Sequence, residues 1–398
     1  MRVLYLTQWF DPEPNIIKGL AFVRALQAAG HDVTVVTGLP NYPSGRIYPG
    51  YRLRPIQHEE LEGVRITRLP LYPNHDNSAL GRSLNFLSFF VAVLLYCLLR
   101  SRRFDVAYVY HPPITVGFAA ALSGLVWRLP FILDVQDLWP DTVATTGLKG
   151  ADRLAPALGW ICAFTYRRAA LIIAQSEGMR DALAARHVPE AKLRVVRNWA
   201  TSEDPLPAAA DSEPAARFTI VYAGNLGRAQ GLETVIDAAR ILARGRQDIA
   251  IRLIGDGIDA DALRERAVGV AGVTVENRVS QAEIAEIYAA ADALLLHLRS
   301  EPLFEITIPS KTQAYLASGK PIVAGVAGEA ARLLEESEAA LVVPPEDAEA
   351  LAQAIGQMAD VPQPLRASMG DSGRRYYLDR LSFERGIRST VEVLEAAA

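Results

Sequence analysis

Tyr222-Ala223-Gly224-Asn225-Leu226-Gly227-Arg228-Ala229-Gln230-Gly231-Leu232-Glu233-Thr234-Val235-Ile236-Asp237-Ala238 is the stretch that decides the fold class. An apolar strand run at 218–222 enters a loop containing three glycines, and from 232 apolar side chains recur at helical spacing. A strand that passes through such a loop into a helix aims backbone N–H groups and the positive end of a helix dipole at whatever lies in front. Arg228 adds a fixed positive charge there. The unit begins in mid-chain, after a stretch at 200–217 rich in Ala, Pro and acids that reads as a linker. The N-terminus opens on a similar unit, a strand at 3–7, a loop at 8–18 and then Gly19. Two such units facing each other predict an enzyme that holds an anionic donor in a cleft.

The glycines at 224, 227 and 231 lack the G-x-G-x-x-G spacing of a nicotinamide site, as does the first loop, which disfavours a dehydrogenase. Working outward, apolar strand runs recur at 3–7, 32–37, 64–69, 106–110, 131–135, 171–175 and 193–197 in the first half. They recur at 219–223, 251–255, 273–276, 293–298, 321–324 and 340–343 in the second. Helical patterns alternate with them, and continuous apolar strands between helices predict parallel sheets covered on both faces.

A chain of 398 residues, half of them hydrophobic, is too long for one ordinary core. Residues 1–200 carry 22 Lys+Arg against 15 Asp+Glu, a net of +7, and residues 201–398 carry 19 against 30, a net of −11. A basic half suits nucleic acid or an anionic membrane. The membrane is favoured because the same half holds the most apolar helix, at 86–99. Its fourteen apolar-rich residues fall short of the roughly 20 needed to span a bilayer. Arg100, Arg102 and Arg103 follow it, so a core helix and an interfacial helix both stay open. Cys97 and Cys162 sit in apolar helical contexts and read as core residues. The start of the chain reads as a short strand, not a signal peptide, and the expected compartment is the cytosol.

Candidate site residues lie where strands end. Lys18 and Gly19 border a sugar or phosphate, or belong to an ordinary turn. The turn-rich Asn41-Tyr42-Pro43-Ser44-Gly45-Arg46 is a ligand loop or plain surface. In Asp134-Val135-Gln136-Asp137-Leu138-Trp139-Pro140-Asp141, Asp137 is placed to accept a hydrogen bond from an acceptor hydroxyl; the alternative is helix capping by Asp137 or Asp141. His111 is a second candidate, and a His before Pro-Pro in a turn is equally a structural residue. Asp259 and Asp261 have D-x-D spacing but read as caps of the helix starting near 260, so no metal is assigned. Pro309-Ser310-Lys311 starts a helix with a cation in its first turn, against dipole logic, which points to a bound anion; the alternative is a solvated lysine.

Together with Gly255-Asp256-Gly257, Ala291-Asp292-Ala293 and Ala317-Ser318-Gly319-Lys320-Pro321, these stretches make the chain resemble the retaining glycosyltransferases of family four, with the GT-B fold, over essentially its whole length. Residues 40–45 and 137–140 look like the branch acting in bacterial surface-polysaccharide and O-antigen assembly. The resemblance implies an α/β protein of two doubly wound Rossmann-like domains facing a cleft. These are an acceptor-binding domain at 1–200, a linker at 201–217, a nucleotide-sugar-binding domain at 218–380, and a last helix at 381–398 crossing back. It implies catalytic roles for Asp137, Arg228 and Lys311. Donor contacts fall to Lys18, Gly19, Gly224, Asn225, Gly227, Gly255, Arg278, Glu305, Ser310 and Gln313. Arg228 matches the Arg of the family's Arg/Lys phosphate pair, while Gln230 lies near the place of the Lys. The Glu-x7-Glu positions hold Ile306 and Ala314; Glu305 and Gln313 keep the spacing one residue earlier, a turn of about 100° on a helix.

The expected reaction moves a hexosyl or N-acetylhexosaminyl group from a nucleotide sugar, expected to be a UDP-sugar, to a polyprenyl-diphosphate-linked saccharide. It uses no metal or cofactor. The expected location is the inner face of the cytoplasmic membrane, peripherally bound through the N-terminal domain, with no nucleic-acid partner. A sugar-nucleotide epimerase and a non-catalytic subunit of an assembly complex are the other readings.

Overall fold

The computed structural model describes residues 1–398 except 15–16, 76–78, 143–150, 205 and 208–216. The chain divides into two compact units, Met1–Arg197 with Gly386–Ala398, and Asn198–Arg385. The division at 197/198 falls a little before the expected boundary. Ala200 is already buried in the second unit's core, and the Glu203 carboxylate accepts from Tyr377 Oη and from the Phe383 amide, each at 2.5 Å.

The first unit is built on β1 (Arg2–Leu6), β2 (Asp32–Gly38), β3 (Gln57–Leu61), β4 (Val64–Leu69), β5 (Val106–His111), β6 (Phe131–Val135), β7 (Leu171–Ala174) and β8 (Leu193–Val195). They lie in the order β3-β4-β2-β1-β5-β6-β7-β8. All neighbours are parallel except β3 and β4. The chain winds outward both ways from β1, so the switch point lies between β1 and β5. The central strands are buried along nearly their whole length because helices cover both faces. β3 is absent from the sequence reading. Its run Gln-His-Glu-Glu-Leu carries no apolar pattern, because it is an edge strand held through a two-residue turn, Glu62 and Gly63, both at positive φ.

The apolar helix of this unit runs Ala79–Arg100, 22 residues, and the stretch Leu80–Arg103 is long and apolar enough to cross a membrane. The expectation that it is too short is thereby corrected. The apolar run is extended at its start by residues whose polar neighbours hid them in the sequence. Asn85, Phe89, Val93 and Cys97 form its buried line, four residues apart. Both cysteines are buried thiols.

The second unit holds β9 (Phe218–Asn225), β10 (Ile249–Asp256), β11 (Val273–Glu276), β12 (Ala293–His297), β13 (Ile322–Gly325) and β14 (Ala340–Val343), all parallel, in the order β11-β10-β9-β12-β13-β14. Its switch point lies between β9 and β12. One core layer, with Val235, Ile236, Leu351 and Ile355, covers one sheet face; another, with Tyr315, Leu316, Leu334 and Tyr377, covers the other. The helix Ala260–Ala267 corrects the capping expectation. Asp259 stands at its N-cap without a side-chain bond, and Asp261 pairs with Arg264 on the surface.

Candidate functional site

In the second unit the strand ends at the switch point are stripped to backbone. Gly224 (φ +144°) and Gly255 (φ +156°) are register partners, and a Cβ on Gly255 would collide with the Gly224 carbonyl. The Lys311 side chain lies over Gly224, so that a Cβ there would sit 2.6 Å from Nζ. Nζ also stands 4.9 Å from the centre of the Tyr222 ring. Burial, which penalises the ammonium, lowers the Lys311 pKa to about 8. The cation is thus held partly out of water over bare backbone, an arrangement that suits an anion. Lys311 sits in the first turn of the helix Ser310–Ser318, whose N-cap, Pro309, offers no side-chain acceptor to the first N–H groups. Ser310 is exposed at that end.

The loop after β9 is organised by Gln230. Its Oε1 accepts from Gly227 N at 3.1 Å and from Asn225 Nδ2 at 3.4 Å, while Tyr222 Oη donates to the Asn225 carbonyl at 2.7 Å. The residue near the place of the family's Lys therefore shapes the loop. Arg228 is exposed and makes no ion pair among the described residues.

Sequence reading missed His297, the last residue of β12. Its Nδ1 lies 2.7 Å from the Gln230 carbonyl, and Glu346 N donates to its Nε2 at 3.2 Å. Accepting at Nε2 assigns the proton to Nδ1, so the ring is neutral and ties the β9 loop to the segment after β14. Burial lowers its pKa. Beside it, Arg299 pairs with Glu233, and Glu346 accepts from Ser300 N at 2.9 Å. The available signal was a polar residue closing an apolar strand run.

One expectation changes here. Gln313 is buried, and with its amide nitrogen toward the Pro309 carbonyl (2.7 Å) it bonds to its own helix, so it is not placed to meet a ligand. Arg278 is exposed just beyond β11, the edge strand next to β10. Glu305 keeps an exposed carboxylate at the end of the helix Pro302–Glu305, its backbone packed so tightly on Gly328 that a Cβ there would collide.

In the first unit, Lys18 and Asp134 form an ion pair with both side chains fully buried. Tyr108 Oη donates to Asp134 at 2.5 Å, Gln136 donates to its other oxygen at 2.7 Å, and Tyr5 Oη donates to the Lys18 carbonyl at 2.6 Å. Lys18 is thus a core anchor, which corrects its reading as a phosphate contact. Gly19 is buried as well, and the first N–H of the helix Leu20–Ala28 is taken by the Asp11 carboxylate at 2.7 Å. The anion at that helix start belongs to the protein.

Asp137 is half-buried without a hydrogen-bond partner among the described residues, and burial raises its pKa. Asp141 is held by Arg186 at 2.5 Å. His111 is fully buried, both ring nitrogens lack partners among the described residues, and burial pulls its pKa down to about 3. The ring of Trp139 meets His111 at 5.9 Å and Phe86 at 6.1 Å, and Phe86 meets Trp9 at 6.4 Å. A wall of aromatic rings therefore lies at the C-terminal ends of β1, β5 and β6. Among the described residues no group of three or more His, Cys, Asp or Glu is placed to hold a metal.

Residues 20–199 match the Glycosyl transferase 4-like domain, and residues 217–360 match the Glycosyl transferases group 1 family. The chain is 26% identical to WbjE of Pseudomonas aeruginosa, named a glycosyltransferase, over 72% of this chain and 74% of that one. It is 27% identical to WcaI of Escherichia coli (strain K12), named a colanic acid biosynthesis glycosyl transferase, over 86% and 87%. Among solved structures, sucrose-phosphate synthase from Thermosynechococcus elongatus superposes with a TM-score of 0.74 at 19% identity, covering 99% of this chain and 98% of that one. Anabaena HepE in complex with UDP superposes with a TM-score of 0.70 at 16% identity over 100% of both chains, a likeness of fold. A glycosyltransferase model matches within each unit and the solved neighbours share the GT-B fold, so the chain is a glycosyltransferase with the GT-B fold.

Proposed function

We propose that this enzyme transfers a hexosyl or N-acetylhexosaminyl group, with retention, from a UDP-sugar to a lipid-linked saccharide in surface-polysaccharide assembly. The observation that carries the donor assignment is Lys311 lying over Gly224 at the switch point of the second unit. Support for the nucleotide comes from HepE, whose structures hold UDP and UDP-glucose. Support for the pathway comes from the name of WcaI.

In this reading the bond from the sugar's anomeric carbon to the diphosphate oxygen breaks, and negative charge grows on the phosphate. Lys311, Arg228 and the open N–H groups at Ser310 stabilise that charge where it develops. The acceptor oxygen bonds to the same face of the anomeric carbon, and its proton passes to the departing phosphate oxygen. Glu305 binds the donor sugar. Asp137 accepts a hydrogen bond from the acceptor hydroxyl and orients it, and the acceptor is a polyprenyl-diphosphate saccharide at the cytoplasmic face of a membrane.

The test is nucleotide release from a panel of UDP-sugars, with and without short-chain polyprenyl-diphosphate saccharides, followed by NMR of the product's anomeric proton. UDP release only with acceptor, and a product with the donor's anomeric configuration, is the expected result. Release or isomerisation without acceptor favours the epimerase reading, and UDP binding without turnover on any acceptor favours the non-catalytic one. Arg228→Ala is expected to lower transfer about 100-fold; full transfer and full donor affinity in that variant would remove Arg228 from the phosphate site.

A further inference from the structure

The helix Ala79–Arg100 has two sides. One line packs into the first unit through Phe89, Val93 and Cys97. The opposite line is Leu80, Leu84, Leu87, Val91, Leu95 and Leu99, spaced three or four residues apart, and each of the six is exposed. Leu80 is 72% and Leu99 80% exposed. No residue from 79 to 100 is acidic. The apolar surface continues onto the neighbouring helices, where Leu125 and Val126 close Ile114–Trp127 and Trp160 stands out from Ala151–Arg168. Phe118 links them, stacking on Phe90 at 5.5 Å and meeting Trp160 edge-on at 6.0 Å. A soluble monomer rarely leaves so continuous an apolar strip in water, and such strips mark contact surfaces.

The charges at one end of the strip identify what covers it. Arg100, Arg102 and Arg103 are exposed and form no salt bridge among the described residues. Arg102 sits over the Trp127 ring, its guanidinium carbon 3.8 Å from the ring centre. Arginines beside an apolar helical face with tryptophans at its border match a bilayer interface with anionic head groups. A spanning arrangement is disfavoured despite the helix's length, because crossing would pull Phe89, Val93 and Cys97 out of the core that holds them. We propose that this face lies along an anionic membrane, with Leu87, Val91 and Leu95 in the acyl boundary and Arg100 and Arg103 on lipid phosphates.

The proposal supplies the membrane contact that a lipid-linked acceptor requires, and it is tested without any acceptor. The whole chain is floated with phosphatidylcholine vesicles, with and without phosphatidylglycerol, at rising salt. Binding only to vesicles containing phosphatidylglycerol, weakening with salt, is expected. Leu87→Gln/Val91→Gln/Leu95→Gln should weaken it at least about tenfold, and Arg100→Gln/Arg103→Gln about 30-fold. Both variants should keep the wild-type circular dichroism and UDP affinity, so that lost flotation is not lost folding. Failure of the wild-type chain to float, or equal flotation of all three proteins, overturns the proposal. So does a dimer in sedimentation that the triple variant abolishes, since the strip would then be covered by a second copy. Failure of sugar transfer with intact flotation overturns only the function proposed above.

Discussion

At the scale of single residues, Lys311 does opposite things for folding and for binding. Its pKa falls from 10.5 to about 8, so the fold favours the neutral amine. A base with a lowered folded pKa contributes fully above its unfolded value, and that contribution is lost as pH falls toward 8. At neutral pH the buried ammonium is therefore a burden on the empty protein. Lys311→Met is expected to raise Tm by about 2–4 °C while weakening UDP binding, measured by calorimetry and titration. For the same reason kcat/KM should decline as pH rises through about 8, where Lys311 loses its proton in the free enzyme. That alkaline limb should vanish in Lys311→Arg if the variant stays active. The two glycines at the strand ends separate by consequence. Gly255→Ala places its methyl against the Gly224 carbonyl and should prevent soluble expression, whereas Gly224→Ala, strained at φ +144° but contacting only the far end of Lys311, should fold with lower stability and impaired donor binding.

At the scale of elements, sequence periodicity carried most of the sheet order's ingredients. Continuous apolar runs such as 106–110 and 131–135 read as buried parallel strands because both faces are covered, and no alternation is needed to see them. β3 escaped because an edge strand facing water has no apolar signal to give. Lys18 was read as a ligand contact because its partner Asp134 is 116 residues away, and no local pattern announces an ion pair across two loops. His297 escaped for the same reason, since both of its partners come from other segments. The ring joins the loop after β9 to the segment after β14 only while it is neutral. As pH falls below its unfolded value of 6.5 toward its lower folded value, that tie weakens and the stability it contributes is lost. His297→Phe should therefore raise the donor KM with a smaller change in kcat and flatten the acid side of the stability profile, as read by steady-state kinetics and by urea melts from pH 5 to 8, a range set around the ordinary His value of about 6.5.

At the scale of the whole molecule, the two units carry surfaces of different character. The first half carries the positive charge, the exposed apolar helix and the aromatic wall, and the second carries the negative charge and the glycine-bare strand ends. UDP at about 100 times its Kd should stabilise the second unit by roughly 2.7 kcal/mol. Hydrogen exchange should then slow at β9, β12 and the start of Ser310–Ser318, with no change at β3 and β4. Protection confined to the first unit would reverse the donor assignment.

The Lys18–Asp134 pair also limits which sequences this fold can adopt. Loss of either partner alone strands a charge out of reach of water, at a cost of about 3–5 kcal/mol, whereas exchange of both for apolar groups of similar volume is close to neutral. Lys18→Met and Asp134→Leu should each lower Tm sharply, and the double variant should recover part of the loss, the rest being the buried Tyr108 hydroxyl left without its acceptor. Across related chains, positions 18 and 134 should therefore change together or not at all, a historical signature written by electrostatics at a place closed to solvent.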